Sequence, residues 1–234
     1  MKIIAECGVN WDDLDQAKAM INKSRWALCD YAKFQLYNNN VIRVSPLRAE
    51  LKERMLTKKD AQELFDYGKK IGQPVIFTPM FMKAVDWIAE MGCPLIKIRH
   101  AASNNERLIN RALEVGVPVL ISTDDHYIGI KYVQQVHNIQ VQFVPQVKLL
   151  YCVPKYPASP DDYDFTKQHF AVGAYPGAPI FSGVSDHTSG FEVMQKALEC
   201  GAEFYEVHVK LSGTDPIEEK WSKTFEGVGE FLLS

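Results

Sequence analysis

The sequence contains no apolar run as long as the roughly 20 residues of a transmembrane helix. Its N-terminus enters an apolar segment at Ile3 without the charged and cleavable regions of a signal peptide. The formal charge of −3 is opposite in sign to that of a nucleic-acid-binding surface. We therefore expect a cytoplasmic protein with no membrane partner and no nucleic-acid partner.

Cysteine is also sparse, and its spacing is irregular. The chain has five cysteines and no Cys-x-x-Cys pair, which disfavours a thiolate metal site. They are Cys7, Cys29, Cys93, Cys152 and Cys200. Burial is the expected role of each, because unpaired cysteine is among the most buried residue types. Cys7 and Cys152 end predicted strands, but we assign neither of them a role.

What the chain does contain is a repeated pair of segments. A short run rich in apolar and β-branched residues precedes an amphipathic segment, a pattern typical of βα units around a parallel sheet. The pattern predicts eight strands: Ile3–Cys7, Tyr31–Leu36, Val75–Thr78, Leu95–Ile98, Val117–Ser122, Val147–Cys152, Ile180–Val184 and Phe204–His208. Eight units in 234 residues indicate a single α/β domain over residues 1–234, a (β/α)8 TIM barrel.

The helical segments carry ordinary start and stop signals. Asp12 or Asp13 is expected to cap the first helix, and Thr57 with Asp60 forms a predicted capping box. Glycine can take the left-handed conformation that ends a helix, and proline cannot continue one. Five glycines are expected near helix ends: Gly68, Gly72, Gly92, Gly116 and Gly201.

A barrel carries its chemistry on the face formed by the carboxyl ends of its strands. Residues 37–56 lack a clear period and lie on that face, as either a lid or a solvated loop. As a lid, the segment would cover the site with Arg43, Arg48 and Lys52. The predicted strand ends place a polar set there: Glu6, Asn10, Lys33, Gln35, Lys97, Arg99, His100, Ser122, Asp124, Tyr151, Tyr156, Ser185, Asp186, His187, Glu206 and His208.

Lys33 and Lys97 lie inside runs that are otherwise apolar. An isolated ammonium group there is costly, so each lysine needs an anionic partner. One interpretation is that the lysines pair with Glu6 and Glu206 of the protein. The other is that they bind an anionic ligand, which is favoured because two lysines on nearby strands exceed the needs of one structural pair.

His187 and His208 end two neighbouring predicted strands, with a helix-sized segment between them. A single strand-end histidine is more often structural than metal-binding. Two on adjacent strands, with Glu6 and Glu219 as nearby oxygen donors, favour a divalent ion with open coordination positions. Imidazole and carboxylate ligands suit Mn²⁺, Fe²⁺, Co²⁺ or Zn²⁺ better than Ca²⁺.

Short motifs along the whole chain resemble those of the sialic acid synthase family, the N-acetylneuraminate synthases. The most specific is Gly183-Val-Ser-Asp-His-Thr188, which is similar to the family's GxSDHT. The others follow in the family's order: Ile4-Ala-Glu-Cys-Gly-Val-Asn10, Ala32-Lys-Phe-Gln35, Phe77-Thr-Pro79, Ile96-Lys-Ile98, Asn104-Asn105, Ile121-Ser-Thr123, Tyr151-Cys152, Tyr156-Pro157 and Glu206-Val-His208.

The resemblance implies condensation of phosphoenolpyruvate with the open-chain aldehyde of an N-acylated amino sugar, giving a 2-keto acid of the sialic acid type and phosphate. It implies a metal at His187 and His208, usually Mn²⁺, with Mg²⁺, Co²⁺ or Zn²⁺ as alternatives. The catalytic set would be Glu6, Lys33, Lys97 and Glu219. The substrate-binding set would be Asn10, Lys33, Gln35, Lys97, Ser122, Tyr156 and Ser185.

The chain departs from the family pattern around the phosphate. After the lysine of the fourth strand, the family has Gly-Ser-Gly and an acidic residue, whereas this chain has Arg99-His-Ala-Ala102. Trp11, Asp124 and Pro154 replace a histidine, a glycine and an asparagine. Arg99 and His100 either bind substrate with substitute charge, since a guanidinium binds phosphate through two bonds, or fill the pocket of an inactive barrel.

Typical family members also carry a C-terminal antifreeze-like domain, which reaches the partner's active site in the dimer. This sequence ends at Ser234 without it, so we expect either a separate polypeptide that supplies the lid or an acceptor that needs none. A homodimer is a further expectation. The favoured function is the synthase, and the alternatives are an inactive barrel that binds sugar, phosphate or a partner subunit, and a metal-dependent aldolase or lyase.

Overall fold

Eight parallel strands close into a barrel in the computed structural model, which describes residues 1–124, 147–166 and 181–234. Their bounds are β1 Lys2–Gly8, β2 Tyr31–Leu36, β3 Val75–Pro79, β4 Ile96–Ile98, β5 Val119–Thr123, β6 Val147–Cys152, β7 Phe181–Asp186 and β8 Phe204–Lys210. Each strand pairs with the next along the chain, and β8 pairs with β1 to close the sheet. The predicted (β/α)8 barrel is therefore confirmed.

Helices connect the strands, and their buried faces join the outward-facing strand residues in one large core. Their bounds are α1 Leu14–Trp26, α2 Arg48–Glu53, α3 Lys58–Ile71, α4 Met82–Met91, α5 Glu106–Glu114, α6 Glu192–Glu199 and α7 Phe225–Leu233. Short 3-10 turns cover His100–Ala102, Pro160–Asp162 and Glu219–Trp221. None of the described helices is long and apolar enough to cross a membrane.

The helix ends follow the predicted chemistry. Of the two candidate caps of α1, Asp13 is the one whose side chain accepts a helix N–H. Thr57 and Asp60 form the capping box of α3. Gly68 lies in the last turn of α3, where a Cβ atom would come within 2.4 Å of the Val75 side chain, so this glycine permits close packing of α3 on β3. The other predicted glycines all have positive φ: Gly72, Gly92, Gly116 and Gly201.

The strand bounds differ little from the predicted ones. β2 and β6 match them, whereas β5 starts at Val119 because Pro118 has no N–H to donate to the sheet. The predicted first residue of the seventh strand, Ile180, lies outside the described residues. Two elements do not follow from the sequence pattern: helix α2 inside the segment 37–56, and a ninth strand, β9 Lys223–Thr224, which pairs with β8.

Two layers of side chains fill the barrel. Strand residues alternate between inside and outside, so inward residues recur every second position. The lower layer is apolar: Ile4, Ile76, Leu95, Leu120, Leu150 and Phe204. The residues two positions later line a cavity: Glu6, Thr78, Lys97, Ser122, Cys152 and Glu206. The alternation thus places polar groups at the carboxyl ends of the strands, where barrel active sites form.

Candidate active site

A cavity of about 390 Å³ opens at the carboxyl ends of the strands. It brings together all but two of the residues predicted for the site: Glu6, Lys33, Gln35, Lys97, Arg99, His100, Ser122, Tyr156, Ser185, His187 and His208. These residues come from β1, β2, β4, β5, β7 and β8 and from the segments that follow β4, β6 and β7. The closure of the sheet is therefore what assembles them.

Asn10 and Glu219 do not line the cavity. Asn10 is buried, and its amide donates to the Val209 carbonyl at 2.8 Å and to Ser222 Oγ at 2.9 Å. Its own oxygen accepts the Glu218 N–H at 3.1 Å, so Asn10 ties the end of β1 to the segment after β8. Glu219 is half exposed and bonds Lys210 outside the cavity at 3.0 Å. Its neighbour Glu218 is the carboxylate that enters the cavity, which corrects the sequence-based placement.

The two cavity lysines have protein partners. Lys33 forms a close ion pair with Glu6, lies 3.5 Å from Glu206 Oε2 and donates to Thr78 Oγ1 at 2.9 Å. Lys97 donates to Ser122 Oγ at 2.6 Å and lies 3.5 Å from Glu206 Oε1. Both lysines therefore have the carboxylate partners of the first interpretation, while their side chains still line the cavity.

The two carboxylates of this lysine–glutamate cluster have pKa values shifted in opposite directions. Burial raises the pKa of Glu206, but Lys33 and Lys97 outweigh it and hold that pKa at about 2. For Glu6 burial dominates and raises the pKa, although Lys33 opposes the shift. Burial also disfavours the charged form of Lys97 and therefore lowers the pKa of this lysine. Glu206 is thus a fixed anion, whereas Glu6, with its raised pKa, is the carboxylate of the two better suited to exchange a proton.

His187 and His208 meet edge to face, with ring centroids 5.2 Å apart. His187 Nδ1 lies 2.8 Å from the Val153 carbonyl oxygen, and His208 Nδ1 lies 2.9 Å from Glu218 Oε2. Since the Val153 carbonyl only accepts, His187 Nδ1 carries the proton and Nε2 is the nitrogen left for a ligand. His208 Nδ1 faces both the Glu218 carboxylate and, at 3.3 Å, the Trp221 indole N–H, and the shorter Glu218 contact makes this nitrogen a donor. Burial lowers the pKa of His208, but the nearby carboxylates, Glu218 first, outweigh it and raise that pKa. Burial, reinforced by His208, lowers the pKa of His187 to about 3, so this ring is neutral at physiological pH.

This donor set fits a divalent metal with open positions. Hydrogen bonds from Nδ1 to a carbonyl and a carboxylate are the arrangement that orients metal-binding imidazoles in proteins. Within the described ranges, no group of three or more histidine, cysteine, aspartate or glutamate residues forms a metal site. An ion bound by the two histidines would therefore complete its coordination with water and substrate, as catalytic sites do.

A buried network fixes the backbone on both sides of His187. Asp186 accepts hydrogen bonds from Lys223 Nζ at 2.8 Å, Tyr205 Oη at 2.6 Å and the Thr188 N–H at 2.8 Å. Lys223 also donates to the Thr188 carbonyl at 2.8 Å. The pairing of β9 with β8 brings Lys223 to this position. His187 is thus held by residues that lie outside the cavity.

Arg99 and His100 both line the mouth of the cavity, but they differ in their partners. His100 Nε2 lies 2.8 Å from Asp124 Oδ1, so Asp124 pairs with His100. Arg99 makes no ion pair with any residue that the structure describes. Tyr156, also at the mouth, lies over His187 with ring centroids 4.1 Å apart.

The segment 37–56 covers one side of the cavity with apolar residues. Leu47 and Leu51 line the cavity, and Tyr37 Oη donates to the Leu51 carbonyl at 2.8 Å. The segment is anchored by a small apolar cluster that includes Val9 and Ile42. The three basic residues of the predicted lid, in contrast, are exposed and do not line the cavity: Arg43, Arg48 and Lys52.

Several residues that line the cavity are not among the predicted site residues. Thr78 and Cys152 each follow an inward apolar residue by two positions, so the strand period could have identified them. Glu218 and Trp221 lie in the irregular segment after β8, where no period applies. Burial raises the pKa of Cys152 to about 12, so its side chain is an uncharged thiol at neutral pH.

Comparison with known proteins identifies the family. A sequence model of the NeuB family matches residues 20–224. Human N-acetylneuraminate-9-phosphate synthase is 28% identical over 230 residues, which cover 91% of this chain and 62% of that protein. An uncharacterized protein of Methanocaldococcus jannaschii is 28% identical over 212 residues, with coverage of 89% and 62%.

A solved structure shows the same relationship. The N-acetylneuraminic acid (sialic acid) synthetase of Leptospira borgpetersenii, in complex with citrate, superposes with a TM-score of 0.86 at 25% identity. The match covers 99% of this chain and 81% of that chain. This chain spans 62% of the length of the human and archaeal relatives. The family match and the fold agree, and the chain belongs to the NeuB family.

Proposed function

We propose that this chain condenses phosphoenolpyruvate with the open-chain aldehyde of an N-acylated amino sugar in a metal-dependent reaction. A C–C bond forms between the phosphoenolpyruvate methylene and the aldehyde carbon, water adds at C2, and the C–O bond to phosphate breaks. The products are a nine-carbon 2-keto acid and phosphate. The observation that carries the proposal is one cavity that contains both an oriented histidine pair and a buried lysine–glutamate–serine cluster.

His187 and His208 would hold the metal, with Mn²⁺ as the first choice and Mg²⁺, Co²⁺ or Zn²⁺ as alternatives. When bound, a divalent ion supplies Lewis acidity that makes an aldehyde carbon electrophilic. The protein prepares both rings for this role, because Val153 and Glu218 engage Nδ1 and leave Nε2 available. The neutral state of His187 removes the competition between proton and metal at that nitrogen.

The cluster deeper in the cavity would bind phosphoenolpyruvate. Lys33 and Lys97 present ammonium groups, and the hydroxyls of Ser122 and Ser185 bond Lys97 and Glu206 respectively. Charge-assisted hydrogen bonds from such groups bind carboxylate and phosphate oxygens. The buried cations would also stabilise the negative charge that develops on the departing phosphate.

Glu6 is our candidate for the proton of the attacking water. Its pKa is raised by burial, and one of its oxygens accepts a hydrogen bond from the Gln35 amide at 2.6 Å. Gln35 thereby orients the carboxylate, while the ion pair with Lys33 occupies the other oxygen. A carboxylate with a raised pKa can accept the proton from water at C2 and pass it on as phosphate leaves.

Phosphate release from phosphoenolpyruvate tests the proposal directly. Mn²⁺ and a panel of N-acylhexosamines are supplied, and His187→Ala, His208→Ala and the exposed control Lys196→Ala are compared with the wild type. We expect aldose-dependent release that both histidine variants lose and the control retains. Release that survives in both histidine variants would refute the metal role.

The alternatives have their own outcomes in the same assay. No release with any aldose, together with measurable phosphoenolpyruvate binding, would instead identify a binding or assembly subunit. Pyruvate formed by cleavage of a keto acid, with no phosphate consumed or released, would identify an aldolase or lyase. Sedimentation of the purified chain, alone and with candidate partner chains, addresses the predicted homodimer and the predicted lid-supplying polypeptide.

A further inference from the structure

Arg99 stands apart from every other basic residue of the cavity. Lys33 and Lys97 contact Glu6 and Glu206, and His100 contacts Asp124. The two remaining histidines bond Val153 and Glu218 through Nδ1. Among the described residues, Arg99 is therefore the cavity cation without an anionic partner. Since an unpaired guanidinium attracts oxyanions, this position has the charge for an anionic ligand.

The charge of the deeper cluster sharpens the contrast. Lys33 and Lys97 provide two positive charges, and Glu6 and Glu206 provide up to two negative ones at distances of 3.5 Å or less. The cluster is close to neutral, so it can donate hydrogen bonds to a substrate but offers little net charge to a dianion. Arg99 lies two residues beyond Lys97 on the same chain segment, one level closer to the cavity mouth.

We infer that Arg99 is a further binding residue for a phosphate monoester dianion of a substrate, in addition to the deeper cluster. The inference rests on the proposed function for the identity of the substrates, and two of them can carry this group: phosphoenolpyruvate itself, or an acceptor sugar that bears a phosphate. The Asp124–His100 pair supports the role, because Asp124 is engaged with the imidazole and does not neutralise the guanidinium. By sequence position, Arg99 stands at the first glycine of the family pattern and His100 at its serine, so the guanidinium supplies charge one residue before the missing serine.

Binding measurements on three variants test the inference. Arg99→Met removes the charge at similar length, and Arg99→Lys keeps the charge but not the planar guanidinium. Arg48→Met is the control, because Arg48 is exposed like Arg99 but does not line the cavity. Inorganic phosphate and phosphoenolpyruvate are titrated by calorimetry with Mn²⁺ present. A hydrogen bond to a charged group contributes about 1.5–3 kcal/mol, so we expect about a tenfold to hundredfold higher Kd in Arg99→Met. Arg99→Lys should lie between that variant and the wild type.

The source of the phosphate is distinguished by kinetics. A rise in the KM for phosphoenolpyruvate with every acceptor assigns Arg99 to that substrate. A rise in the acceptor KM confined to sugar phosphates assigns it to the acceptor. Equal phosphate and substrate affinities in Arg99→Met and Arg48→Met would overturn the inference while leaving the proposed function intact. Conversely, Arg99-dependent phosphate binding without turnover would sustain the inference and refute the proposed function.

Discussion

The buried ion pair between Lys223 and Asp186 makes the sharpest prediction about stability. The two side chains are 1% and 0% exposed, and Nζ lies 2.8 Å from Oδ2. Lys223→Met removes the ammonium group and leaves the Asp186 carboxylate buried, with Tyr205 and Thr188 as its remaining donors among the described residues. Breaking a buried pair by removing one partner costs about 3–5 kcal/mol of unfolding free energy. Domains are stable by about 5–15 kcal/mol, so this loss is a large share of the total and shows as a clear shift of the unfolding midpoint.

Urea unfolding followed by circular dichroism measures this cost. Lys196→Met is the control, because its pair with Glu199 is about half exposed on both sides and such pairs contribute about 0–1 kcal/mol. The double variant Lys223→Met/Asp186→Asn removes the stranded charge as well, so we expect it to lose less than Lys223→Met alone. If Lys223→Met loses no more than about 1 kcal/mol of unfolding free energy beyond the control, the buried Asp186 carboxylate does not need Lys223, and the reasoning is refuted.

The same site and its surroundings yield three further predictions. Gly8→Ala and Gly213→Ala both place alanine at positive φ, at about 1–2 kcal/mol each, but only the Cβ at position 8 would lie 2.5 Å from Glu218 Oε2. Because the contact with His208 holds Glu218 Oε2 in place, urea titration should show a larger loss for Gly8→Ala. Equal losses would mean that the Glu218 side chain moves away without cost. Glu218→Gln should weaken Mn²⁺ binding by about tenfold to a hundredfold in calorimetry, whereas Glu219→Gln should leave it unchanged. Equal effects of the two would restore the sequence-based choice of Glu219. Finally, the pKa of His187 is about 3 in the folded state and 6.5 in its ordinary range, so the unfolded chain binds the extra proton between these values. Stability of the metal-free protein should fall as pH drops from 6.5 towards 3, and His187→Asn should flatten that slope. An unchanged slope in urea titrations at pH 7, 5 and 4 would contradict the pKa shift.

The fold was predictable because local signals and the barrel geometry agree. Three segments mark where a helix ends and a strand begins, and the apolar runs after them are buried strands: Gly72-Gln-Pro74, Gly92-Cys-Pro94 and Gly116-Val-Pro118. Within those runs, the alternation of inward and outward residues also predicts the site. Ile4 and Glu6, or Leu120 and Ser122, are successive inward residues of one strand. A polar residue two positions after an inward apolar one, at the carboxyl end of a strand, therefore marks the cavity without further information.

The segments after the strands were not predictable in this way. Glu218 and Glu219 are adjacent carboxylates in the segment after β8, and no period states which of them turns inward. The choice depends on the Asn10 bond to the Glu218 N–H and on the free space above Gly8. Both contacts come from the opposite end of the chain. Lys223 is similar, because its role depends on β9, a two-residue strand that only the closed barrel can pair.

The lysines show why a residue's need for a partner does not identify the partner. Lys33 and Lys97 required anions, and the structure supplies them from Glu6 and Glu206 on β1 and β8, which become neighbours only when the barrel closes. That pairing lowers the cost of burying the cations before substrate arrives, since isolated buried charges are strongly unfavourable. It also makes the cluster nearly neutral. A dianionic substrate must then find further compensating charge in the cavity, and Arg99, one of the residues that depart from the family pattern, is the cation that the described residues leave without an anionic partner.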